Sequence, residues 1–104
     1  MSEISRLQAW YARQCDGDWE HSYGVDIGTL DNPGWTVSVD LAGTKLEKIA
    51  FTPVAEGLGR NQRPSQDSWL SCRIQGKKWK GAGDASKLER ILHEFLSWAE
   101  QHGS

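Results

Sequence analysis

No apolar run longer than a few residues occurs in the 104 residues of this chain. That excludes a membrane span, which needs about 20 such residues, and a secretory hydrophobic segment. The protein is therefore expected to be soluble and cytoplasmic. Cysteine is scarce: Cys15 and Cys72 lie far apart and outside any C-x-x-C spacing. Two such thiols in a chain without a signal peptide are expected to be free and reduced. Histidine is as thin, and His21, His93 and His102 share no ligand spacing. No metal or other cofactor is expected from that set. G-x-S-x-G, a phosphate loop, H-E-x-x-H and a dinucleotide glycine pattern are all missing, as are internal repeats, low-complexity tracts and linkers. Residues 1–104 are expected to form one domain with one core.

Charge of one sign is missing only locally. The net charge is −2, yet residues 1–40 carry seven acids against Arg6 and Arg13, a balance of −5, while residues 41–104 carry seven acids against ten bases, a balance of +3. An acidic half repels nucleic acid and favours a basic partner.

What the chain does have is periodicity. Ser2 can cap a helix to about residue 14, with Ile4, Leu7 and Tyr11 at i, i+3 and i+7 and Trp10 widening the stripe. From 19 to 27, Trp19, His21, Tyr23, Val25 and Ile27 alternate with Glu20, Ser22, Gly24 and Asp26, and period two predicts a strand. Asp31-Asn32-Pro33-Gly34 predicts a chain reversal, with Gly34 supplying a positive φ. Trp35, Val37, Val39 and Leu41 then alternate with polar residues in a second strand. Residues 46–54 predict a third strand, 55–66 a loop, 69–75 a fourth strand and 76–83 a basic loop. Ser86 and Glu89 have the spacing of a capping box, followed by the helical stripe Leu88, Ile91, Leu92, Phe95, Leu96 and Ala99. The order α-β-β-β-β-α predicts a two-layer α+β domain: a four-stranded antiparallel meander flanked by N- and C-terminal helices, with the helices on one face.

Three chemistries fit parts of this pattern. C-D-G-D-W-E-H-S-Y-G, residues 15–24, gathers Asp16, Asp18, Glu20, Cys15 and His21, the residue types of a small metal-dependent hydrolase or a thiol nucleophile. On a strand, however, His21 and Glu20 point to opposite faces, and six residues across a turn place Cys15 poorly for His21. Lys77, Lys78, Trp79 and Lys80, with Arg60 and Arg63, could hold phosphates and stack a base in a nucleic-acid-binding or adaptor module. The third possibility is protein recognition. Six tryptophans exceed what so small a core needs, and Trp10, Trp19, Trp69 and Trp79 compete for the space left by Trp35 and Trp98. One or two of them exposed beside the acids would anchor a protein partner.

The residues of the first half also form a resemblance. Trp10-Tyr11, C-D-G-D-W-E-H-S-Y-G-V-D-I-G-T-L-D-N-P-G-W from 15 to 35, and Val39-Asp40-Leu41 are similar to the signature of the immunity protein 53 family, found beside toxins of bacterial polymorphic toxin systems. The similarity is specific over residues 10–41 and looser beyond. It implies a small cytoplasmic antidote that is not an enzyme and that binds and neutralises a cognate toxin domain. The family's motif falls on Trp19, Glu20, His21, Tyr23 and Gly24, and on residues 29–35 of the hairpin. Combined with the charge pattern, this makes Asp16, Asp18, Trp19, Glu20, Tyr23, Asp26 and Asp31 the candidate partner-binding residues, whose carboxylates would occupy a basic cleft of the toxin.

Overall fold

The computed structural model describes residues 2–104. Helix α1 spans Glu3–Gln14, and the Ser2 hydroxyl accepts the Ser5 amide at 3.1 Å, the cap its sequence predicts. Leu7 and Trp10 are its buried residues. A single helical turn, α2 (Trp19–Ser22), follows. Five strands come next, β1 (Val25–Leu30), β2 (Gly34–Asp40), β3 (Val54–Glu56), β4 (Leu70–Gln75) and β5 (Lys78–Gly83), and helix α3 (Leu88–Gln101) closes the order. All strand pairs are antiparallel, in the spatial order β1-β2-β5-β4-β3. The α+β class and the flanking helices are as expected. The sheet has five strands rather than four, and it is not a plain meander, because the β4–β5 hairpin is inserted between β2 and β3.

The fifth strand hides in the segment expected as a basic loop. Along β5, Lys78 and Lys80 are exposed whereas Trp79, Gly81 and Gly83 are buried. Two of its three inward positions are glycines, so hydropathy shows no alternation. They are glycines because α3 lies against them: a Cβ on Gly81 would collide with Ile91, and one on Gly83 would stand 2.6 Å from Lys87 Cβ.

Two other segments depart from expectation. Residues 19–27 divide between α2 and β1, because the Asp16 carboxylate accepts the amides of Asp18 and Trp19 at 2.9 Å each and Glu20 accepts those of Asp16 and Gly17. These bonds, with Gly17 at φ 91°, start a helical turn. Trp19 and Tyr23, two steps of a period-two alternation apart, are also i and i+4, and their ring centroids lie 6.1 Å apart. Residues 46–54 form no strand before Val54. Thr44 accepts the Leu46 amide and donates to the Leu41 carbonyl, winding the segment through consecutive turns from which Leu46, Ile49 and Phe51 reach the core.

Helix α3 lies across β2, β5 and β4, and α1 packs beside it. Trp10, Trp79, Phe51 and Trp98 surround Phe95 or one another with edge-on rings 5.1–5.7 Å apart. Ser86 and Glu89 do not form the expected box: the N-cap of α3 is Lys87, without a side-chain cap. A lost cap weakens a helix by about 1 kcal/mol. Burial of Ile91, Leu92, Phe95, Leu96 and Trp98, at about 1.5–3 kcal/mol for each large side chain, outweighs it.

Candidate partner-binding edge

The hairpin of β1 and β2 turns at residues 31–33 and carries the candidate residues toward one margin of the sheet. Its register pairs Val25 with Val39, Ile27 with Val37 and Thr29 with Trp35 on the helix side. Asp26, Gly28 and Leu30 alternate onto the open face. β1 has β2 on one side and, among the described residues, no strand on the other.

The candidate acids divide into two groups. Asp16 and Glu20 are occupied in the turn that starts α2. Asp16 lies below the ordinary carboxylate range because the Trp19 and Asp18 amides donate to it, and Glu20 is lowered by its own amide and those of Asp16 and Gly17. Asp18, Asp26 and Asp31 are exposed and, among the described residues, join no ion pair. Asp40, their neighbour on β2, is held by Lys78 at 3.0 Å and by the Gly24 amide.

The expected aromatic anchors are corrected. Trp10, Trp19, Trp69 and Trp79 are all buried. Trp19 donates its indole N–H to the Ala42 carbonyl at 2.8 Å, tying the α2 turn to the loop after β2. The large apolar side chains left exposed are Ile4 (52%), Tyr11 (40%), Tyr23 (42%) and Ile27 (42%), none of them tryptophan. Tyr11 and Val25 line a hollow of about 340 Å³ with Leu7, Gln8 and Gly24, which places α1 over the start of β1. The sequence pattern places Ile4 and Tyr11 on the apolar stripe of the first helix and Ile27 on the apolar face of the first strand. Their signal was positional: all three sit in the acidic first third of the chain.

The residues of the alternative chemistries are only partly brought together: Lys80, Arg60 and Arg63 stay exposed and, among the described residues, outside any ion pair. Cys15 Sγ donates to the Tyr11 carbonyl, and no hydrogen bond joins it to His21 among the described residues. Cys15 and Cys72 are both free, and burial pushes the Cys72 thiol up to about 12. Three metal-ligating side chains come together nowhere among the described residues. Trp79 cannot stack a base because it is fully buried, and Lys77 and Lys78 pair with Glu47 and Asp40. No helix among the described residues is long and apolar enough to cross a membrane.

The family model of immunity protein 53 matches residues 4–100. The chain belongs to that family. The match reaches well beyond residues 10–41 and takes in the whole sheet and nearly all of α3. No curated protein and no solved structure matches this immunity protein 53 member. Membership makes it an immunity protein, a class whose partner is a toxin. The β1 edge of this member of the family exposes Ile27 and the unpaired Asp26.

Proposed function

We propose that this protein binds and neutralises a cognate bacterial toxin domain in the cytoplasm, without chemistry of its own. One observation carries the reading: the exposed Ile27 and the unpaired Asp26 stand on the edge strand β1, with exposed Tyr11 and Tyr23 and unpaired Asp18 near its start and unpaired Asp31 just past its end. Apolar anchors within a polar rim are the composition of a protein interface. Carboxylates held there meet the basic cleft of a toxin that acts on a polyanion. Asp16 and Glu20 support the surface by fixing the α2 turn, and Trp19 does so from beneath. Tyr23 and the three free acids make the contacts.

The test is co-expression with candidate toxin domains of polymorphic toxin systems, followed by calorimetric titration against the one that is neutralised. Growth should be rescued by the wild-type chain. Reversal of Asp18→Lys with Asp26→Lys should leave folding within about 0.5 kcal/mol, since both side chains are exposed and unbonded. The affinity should nonetheless fall by about 3 kcal/mol or more, because reversal adds repulsion to lost pairing. Wild-type affinity in a folded double variant would remove the acids from the interface.

A further inference from the structure

The two edges of the sheet are built differently. β3 is three residues long and runs into Gly57 at φ 66°, after which the loop folds back through Ser65 N–H to the Gly57 carbonyl and a Leu58–Pro64 bridge. Such an edge is blunt. β1 offers six residues without proline, lysine or a bulge in its pairing with β2.

Register identifies its free groups. The Asp40 amide donates to the Gly24 carbonyl at 3.0 Å, which makes Gly24 and Asp40 a hydrogen-bonded pair. Alternation along an antiparallel ladder then turns the N–H and C=O of Val25, Ile27 and Thr29 away from β2. No backbone bond from outside the sheet reaches these three among the described residues. Helix α1 reaches the start of β1. Tyr11 and Leu7 line a hollow with Gly24 and Val25. A strand laid about 4.8 Å outside β1 would enter this space and cover Ile27.

We propose that the outer edge of β1 takes an extended segment of the toxin domain as a sixth strand, its apolar side chains under α1 and its basic side chains beside Asp18, Asp26 and Asp31. This rests on the toxin-binding reading and gives it a mode: main-chain bonds supply affinity and alternate side chains supply specificity. The three unpaired carboxylates select a basic occupant. A second copy pairing antiparallel about Ile27 would set Asp26 opposite Gly28 with the two Asp26 carboxylates diagonal on the open face, which brings no charge complementarity.

The probe is the toxin domain that the wild-type chain neutralises. Ile27→Pro removes an outward N–H and leaves the bonds to β2, so it should weaken binding by about 100-fold or more. Ile27→Val, which keeps that N–H, should bind as wild type. In the saturated wild-type complex the Ile27 and Thr29 amides should exchange about 100-fold more slowly than in the free protein, a readout that needs no variant to fold. Full affinity of folded Ile27→Pro, or unprotected amides in the complex, would overturn strand addition while leaving toxin binding in place. Amides already protected in a free protein that sediments as a dimer would give the edge to a second copy and overturn it equally. No binding by the wild-type chain would remove both readings.

Discussion

Asp84 holds the approach to α3 almost alone. Its carboxylate accepts from the Trp69 amide at 2.8 Å, the Ser86 amide at 2.9 Å, the Ser86 hydroxyl at 2.6 Å and Lys87 Nζ at 2.8 Å. These donors, Lys87 and the Ser86 hydroxyl first, hold it well below the usual carboxylate range. A carboxyl whose folded pKa is depressed contributes stability that is present above its unfolded value of about 3.9 and is lost as pH falls through that value toward the folded one. Asp84→Asn should therefore melt below wild type at pH 6, and the gap should narrow by pH 2. Thermal unfolding of both proteins across that range checks it, and because Glu100, Asp16 and Glu20 titrate in both, the difference isolates Asp84. A gap independent of pH would mean that the lost contribution is packing. Little at this scale was legible in the sequence. Ser86 and Glu89 carried the familiar cap spacing, yet the working group was the aspartate two places earlier, which no pairwise spacing distinguishes from a solvated acid. The same limit applied to Asp16 and Glu20, which read as a candidate site and serve as turn bonds.

Elements were legible where side chains carried the period. β2, β4 and α3 bury residues their patterns selected, including Val37, Val39, Cys72 and Phe95, whereas α1 buries Leu7 and Trp10 and leaves Ile4 and Tyr11 of its stripe exposed. They were illegible where the inward positions hold no side chain, as in β5, or where one spacing serves two periods, as at Trp19 and Tyr23. Gly34 shows how an identity can be right for another reason. It opens β2 without the positive φ expected of it, and a Cβ there would stand 2.5 Å from the Gly83 carbonyl oxygen. The constraint is close approach of β2 to β5, so even Gly34→Ala should destabilise, by about 1–3 kcal/mol. Gly24, whose Cβ would meet nothing within 4 Å, serves as control: Gly24→Ala should stay within about 0.5 kcal/mol. Chemical denaturation of the pair checks this, and equal stabilities would remove the close-approach account.

At the scale of the whole molecule, strand order converts the charge asymmetry of the sequence into a spatial one. Asp26 stands on β1 and Asp18 and Asp31 flank it, whereas Arg73 stands on β4 and Arg60 and Arg63 follow β3. The two edges are four strand spacings apart, roughly 19 Å. At physiological ionic strength the screening length is about 8 Å, so a partner approaching β1 senses the acids of that edge and not the net charge of −2. Encounter with a basic toxin should therefore be steered. Its association rate should fall about tenfold between 20 mM and 500 mM salt while the dissociation rate changes far less. Reversing Asp18 and Asp26 should flatten that slope. Reversing Arg60 and Arg63, which follow the opposite edge strand, should change it less. Stopped-flow association at four or five salt concentrations measures all three slopes. A slope moved by the arginines and not by the aspartates would place the encounter at the β3 edge, and with it the face that meets the toxin.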